Sequence, residues 1–291
     1  MRLGKLVLAA SCIAAFSSSL GAQASGSLRR LDLQGTVGDM LDRLGREPRM
    51  VRTKVVGVDT ADSAFLFPSA GSVQGAGGTY FRSDVTLVNH RTTDQAISVG
   101  WIAQGVNNSS APLQFFTLTA NTPVILADFV GQTLHKTGLG AVLVTGIGST
   151  GNPDTNATLD GFSRIWTNQP GAQGTVSLAF PSITFFDSLG SATAYGLGLR
   201  HDTGYRSNVG IVNLDSVAHT WTVSINGLHG TGTFTVTVDP ISMKQVALPA
   251  GNYGDLLVSI STTATGFWWS AYGASVDNIS GDGWVSHASQ P

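Results

Sequence analysis

The sequence predicts an all-β chain built from two tandem copies of one antiparallel unit, and three observations carry that prediction. From residue 64 onward, runs such as SDVTLVN, QAISVGWI, LQFFTLT, GAVLVTG, TWTVSIN, TGTFTVTV and DLLVSIS are rich in Val, Ile, Thr and aromatics and are separated by Gly, Asn, Asp and Pro. Many alternate apolar with polar residues, the two-residue period of a half-buried strand, and none sustains a helical period. RSDVTLVN at 82–89 returns 124 positions later as RSNVGIVN at 206–213. Many short strands at such spacing build antiparallel sandwiches or barrels.

Taken in order, residues 1–24 carry Arg2 and Lys5, then an apolar run, then small residues ending Ala22-Gln23-Ala24. This is the layout of a secretory signal cleaved after Ala24, so the chain is expected to be exported, to the periplasm or the extracellular space. Cys12 is the single cysteine and lies within that signal, so the mature domains are held without disulfides. A net charge of −2 with 12% charged residues offers neither the basic excess that nucleic acid requires nor one for an anionic membrane. No later segment has the roughly 18 uninterrupted apolar residues of a spanning helix.

Residues 25–63 form a polar arm holding seven of the 16 Lys and Arg residues and the one glutamate, Glu47. Within it TVGDMLDRLGR places Val37, Met40, Leu41 and Leu44 at helical spacing, with Thr36 as N-cap and Gly45 near the C-terminus. About three turns do not hold alone, so the helix needs a surface to pack on.

The first copy is expected over 64–178 and the second over 179–291. Phe67-Pro68-Ser69 is matched with Phe180-Pro181-Ser182, Val99 with Val223, GAVLVTG with GDLLVSI, and Gly161-Phe162 with Gly266-Phe267. Alternation puts Val85 and Leu87 on one face, kept as Val209 and Ile211, and Arg82, Asp84 and Thr86 on the other. What both copies retain is what the fold needs twice, so Arg82 and Arg206 read as structural, with Asp84 a partner for Arg82.

PSAGSVQGAGGTYFRSDVTLVN and AYGASVDNISGDGWVSHA resemble a recurrent unit of exported bacterial proteins: a Pro-Ala opening, a Gly-Gly-Thr turn, an aromatic-Arg-Thr-Asp strand ending Leu-x-Asn, and a closing Asp-Asn-x-x-Gly-Asp turn. Ser83 stands where the unit often carries Thr. The resemblance covers 64–291 in two copies. It implies immunoglobulin-like β-sandwich modules, and it brings no catalytic residue with it.

Local motifs favour ordinary turns. GIGSTG at 146–151 matches the glycine pattern of dinucleotide sites, but a loop follows where a helix would have to begin. Asp154, Asn156 and Asp160, and Asp277, Asn278 and Asp282, lack EF-hand spacing and its closing Glu. The six histidines show no metal spacing, and His201-Asp202 has no nucleophile elbow beside it. No cofactor or metal is therefore expected. The expected function is a non-enzymatic binding or scaffolding element, with a polysaccharide or a cell-envelope protein as partner.

The candidate site is GFWWSAYG at 266–273. Phe267, Trp269 and Ala271 share one face, matched with Phe162 and Trp166 and so assigned to the core. Trp268 and Tyr272, about 13 Å apart on the other face and matched with Ser163 and Thr167, are the expected ligand-binding rings. The competing expectation packs them under 187–204 or against the other domain. An irregular Asp or Ser/His hydrolase and assembly through sheet edges are the alternatives.

Overall fold

The computed structural model describes residues 28–46, 62–75, 78–169, 171, 173–184 and 193–289. Residues 1–27, with the expected signal segment, and residues 47–61 of the arm lie outside the described residues. The fold is predominantly β, and every ladder between named strands is antiparallel.

The chain opens with β1 (Leu28–Arg30) and helix α1 (Val37–Arg46). Eight strands follow: β2 (Ala64–Gln74), β3 (Tyr80–Asn89), β4 (Gln95–Ala103), β5 (Gln114–Leu118), β6 (Pro123–Leu126), β7 (Gly138–Ile147), β8 (Leu159–Asn168) and β9 (Thr175–Pro181). After the short β10 (Ile183–Thr184) come eight more: β11 (Ala194–His201), β12 (Tyr205–Asn213), β13 (His219–Gly227), β14 (Gly230–Val238), β15 (Ser242–Ala247), β16 (Gly254–Ser261), β17 (Trp269–Asp277) and β18 (Gly283–His287).

In the second half these strands form two sheets, β11-β16-β13-β14 and β15-β12-β17-β18. The first half runs β2-β7-β4-β5 and β6-β3-β8-β9, the same relative order, with β1 added beside β5. There β2 pairs with both β7 and β3, which joins the two sheets into one of ten strands. The boundary expected at 178/179 falls inside β9, which pairs along its length with β8 and so belongs to the first half. Phe180-Pro181 therefore ends a strand, whereas its matched partner Phe67-Pro68 lies early in β2, and the strand of the second half that takes the place of β2 is β11.

Among the described residues three apolar cores form. Phe65, Phe67, Val85, Leu87, Ile97, Val99, Val142 and Val144 fill the first half. Val209, Ile211, Trp221, Val223, Val258, Ile260 and Trp269 fill the second. A third core lies between the halves, where Leu66, Ile102, Phe115, Leu143 and Phe180 meet Val212, Met243, Tyr272 and Ala274. The strands facing it lose their alternation, because β2 and β17 are buried on both faces over most of their length. Ala64, Ala70 and Gly71 in β2, and Ala271, Gly273 and Ala274 in β17, are small enough for sheets to approach on either side. Asn108 closes the rim of this junction, donating from Nδ2 to the Ile241 carbonyl at 2.9 Å, and the Gln245 amide donates to Gln104 Oε1 at 2.8 Å.

Helix α1 is the surface-dependent helix the spacing predicts. Thr36 Oγ1 accepts from the Asp39 amide at 3.1 Å, and Val37, Met40, Leu41 and Leu44 all enter the junction core.

The repeated octapeptide proves to be architectural. Asn89, fully buried, donates to the carbonyls of Thr93, Leu118 and Thr119 and accepts from the Arg91 amide. Asn213, equally buried, donates to those of Val217, Val238 and Asp239 and accepts from the Asp215 amide. Ser83 Oγ bonds both backbone groups of Gly71 in β2, and Ser207 Oγ donates to the Arg200 carbonyl of β11, so each serine ties the start of its strand to the first strand of its half. Arg82 does not bond Asp84; it lies over the rings of Tyr80 and Trp166 at 4.9 and 5.6 Å, with Asp128 at 3.9 Å. Arg206 Nη1 donates to Asn278 Oδ1 at 3.0 Å. Asn89→Ala and Asn213→Ala each strand several buried backbone groups. Each should lower stability by about 1–3 kcal/mol, measured as a shift in the urea midpoint, with equal effects from the two halves.

Candidate binding cleft between the halves

The two rings expected on an exposed face are not an exposed platform. Tyr272 is 0% exposed, its ring packed edge-on against Phe180 at 5.2 Å and its hydroxyl donating to Gln245 Oε1 at 2.6 Å. It lies so flat over Gly210 that a Cβ there would come within 2.1 Å of the ring. Trp268 is half-buried against the junction core, with its indole beside Gly45 of α1. Docking of the halves covers the face that strand alternation alone leaves open. The core assignment of Phe267, Trp269 and Ala271 agrees with their burial at 8%, 0% and 1%.

The matching of the halves also shifts here. Asn89 pairs with Leu159 while Asn213 pairs with Trp269, and Thr86 pairs with Phe162 while Gly210 pairs with Tyr272. Phe162 is thus the positional counterpart of Tyr272, and Ser163 and Thr167 are counterparts of neither ring. Phe162 is 44% exposed.

Beside Tyr272 sits His287, its partner across β17 and β18. The His287 ring meets Phe180 edge-on at 6.5 Å, and neither ring nitrogen has a hydrogen-bond partner among the described residues. Burial holds its pKa below the ordinary 6.5. As pH falls through 6.5 the unfolded chain takes up a proton that the folded one resists. The contribution of His287 is therefore complete above that pH and lost as pH drops toward its depressed value. Urea midpoints should fall between pH 7.5 and pH 5 by more than in His287→Phe. His201, whose pKa burial also lowers and whose Nδ1 accepts from the Ser207 amide at 3.0 Å, leaves a residual slope in that variant.

The turn motifs act as turns. Gly146 to Gly151 closes the connection from β7 to β8, with the Gly148 amide bonded to the Asn152 carbonyl and that of Gly151 to Gly148. Asp154 pairs with Arg91 at 2.9 Å and caps the Asn156 amide, while Asp277 Oδ1 accepts from the amides of Ser280 and Ile279, which lower its pKa. Among the described residues no three His, Cys, Asp or Glu side chains gather as metal ligands would. Asp202 is tied to Arg200 at 2.7 Å and to the turn amides of Gly204 and Tyr205.

What the junction does leave open is a cleft of about 430 Å³, within the size range of small-molecule sites. The first half supplies a wall that includes Phe81, Leu139, Ile165, Val176, Leu178 and Phe180. The second half supplies Arg206, Asn208, Gln245 and Val276. The walls therefore differ in emphasis: the first is mainly apolar, with Ser69 and Ser177 as its hydroxyls, and the second carries Arg206, Asn208 and Gln245 beside Val276. Ser69 at its edge is buried and adjoins the Tyr272 hydroxyl, yet its Oγ makes no hydrogen bond of standard geometry. Sequence reading misses this cleft because its walls come from strands of both halves, β2, β3, β7, β8 and β9 on one side and β12, β15 and β17 on the other, which no local pattern brings together. No family model matches the chain, and no curated protein matches it.

Proposed function

We propose that this is an exported, non-enzymatic binding protein of two β-sandwich modules derived by internal duplication, and that the cleft between the modules is its binding site. The matching strand orders and the paired roles of Asn89 and Asn213 support the duplication, and the signal-like first 24 residues support export. The observation that carries the binding reading is the cleft itself: an apolar pocket held between halves joined by a continuous core, so that its shape is fixed before a ligand arrives. Among the described residues its lining joins serine hydroxyls to no histidine or carboxylate, which favours binding over hydrolysis. A polysaccharide platform on Trp268 and Tyr272 is set aside, since Tyr272 is enclosed.

The test is titration of the purified chain with the neutral fluorescent probe N-phenylnaphthylamine. Saturable binding of one probe per chain, lost in Val176→Trp, is expected. A folded chain that binds no probe, or whose Val176→Trp variant binds as well, would overturn the reading.

A further inference from the structure

The cleft has a charge as well as a shape. Among the described residues that line it, Arg206 is the one charged side chain, and it sits at the exposed mouth. Its guanidinium donates to the neutral carboxamide of Asn278 at 3.0 Å. The neighbouring carboxylate, Asp277, is engaged by the amides of Ile279 and Ser280. Alternation along β12 puts Arg206, Asn208 and Gly210 on one face, and Gln245 lies across from Gly210. Gln245 Oε1 accepts from the Tyr272 hydroxyl, and its side-chain NH2 remains a donor. A guanidinium only donates. The polar wall therefore runs about 13 Å from a cation at the mouth to a donor at the inner end, opposite a wall of aliphatic and aromatic side chains.

Resting on the cleft as the binding site, we propose that its ligand is an anionic amphiphile: an apolar chain of medium length lying along Phe81, Ile165 and Leu178, with a carboxylate or similar anion at Arg206. Charge complementarity selects the head, because among the described residues of the lining no carboxylate would repel an anion and a cationic head would meet Arg206. Volume selects the tail, since about 430 Å³ is the space of some fourteen waters at roughly 30 Å³ each. By that measure a single chain of about ten carbons with its head fits the space.

Decanoate, 1-decanol and decylammonium share a tail and differ at the head, so calorimetric titration of the purified chain with each separates the two parts of the proposal. Decanoate is expected to bind about tenfold tighter than decanol, a modest margin because Arg206 is exposed, and decylammonium is expected to bind weakest. Arg206→Gln, at an exposed position and with its urea midpoint compared with that of the parent chain, should bring decanoate to the level of decanol. Val176→Trp should abolish all binding, and Leu178→Trp serves if that variant fails to fold. Equal affinities for decanoate and decanol, both lost on filling the cleft, would overturn the anionic head and leave the cleft standing. No binding of any of the three, or binding indifferent to filling, would overturn both.

Discussion

Replacing Tyr272 with alanine lowers the stability of the folded chain by about 3–5 kcal/mol, the range for removing a large ring from a packed interior. The side chain is fully buried between Phe180, Gly210 and Gln245, at the point where the first half meets the second. Nothing can collapse into the space, because Gly210 has no side chain and Phe180 is fixed in a strand. Tyr272→Phe keeps the ring and loses one hydrogen bond, so it should cost only about 1 kcal/mol. Urea denaturation of the two variants decides the point. A ring standing in solvent would give changes within about 0.5 kcal/mol for both, and that result would contradict the junction described above.

The second large effect lies in α1. Leu44 is 1% exposed and reaches the junction core beside residues from both halves. Leu44→Ala should cost about 2–5 kcal/mol, and Leu44→Asp more, because it places an unpaired carboxylate among apolar side chains. Since the core it damages is shared, Leu44→Asp should also split a single unfolding transition into two, seen by calorimetry as separate melting of the halves. One residue on, Gly45 predicts the opposite sign. It is exposed in the last turn, and a Cβ there would sit 3.9 Å from the Trp268 ring, an ordinary contact. Gly45→Ala should stabilise by about 0.5–1 kcal/mol through helix propensity. If Leu44→Asp were as mild as a surface change, the helix could not be the wedge that its burial indicates.

The sequence by itself determined the strands, the helix and the meaning of the repeat. Val85 and Leu87 alternate with polar residues, so their inward face follows from the two-residue period of a strand. The helical spacing of Val37, Met40, Leu41 and Leu44 likewise defines the buried stripe of α1. The return of Arg-Ser and Val-Asn marks backbone positions that both halves must satisfy, and Asn89 and Asn213 satisfy them with the same hydrogen bonds.

What only the tertiary structure decided is which strand faces lie open. Phe162 and Tyr272 occupy the same place in their respective sheets, yet one is 44% exposed and the other 0%. Strand periodicity says that two side chains share a face; it carries no term for what that face meets. The answer came from the docking of one half on the other. That docking depends on small residues in β2 and β17 and on an arm packed between the halves, contacts too far apart in sequence for any local pattern to report. The cleft exists for the same reason. Its mainly apolar wall and its cation belong to different halves, and docking of the halves sets them on either side of one cleft.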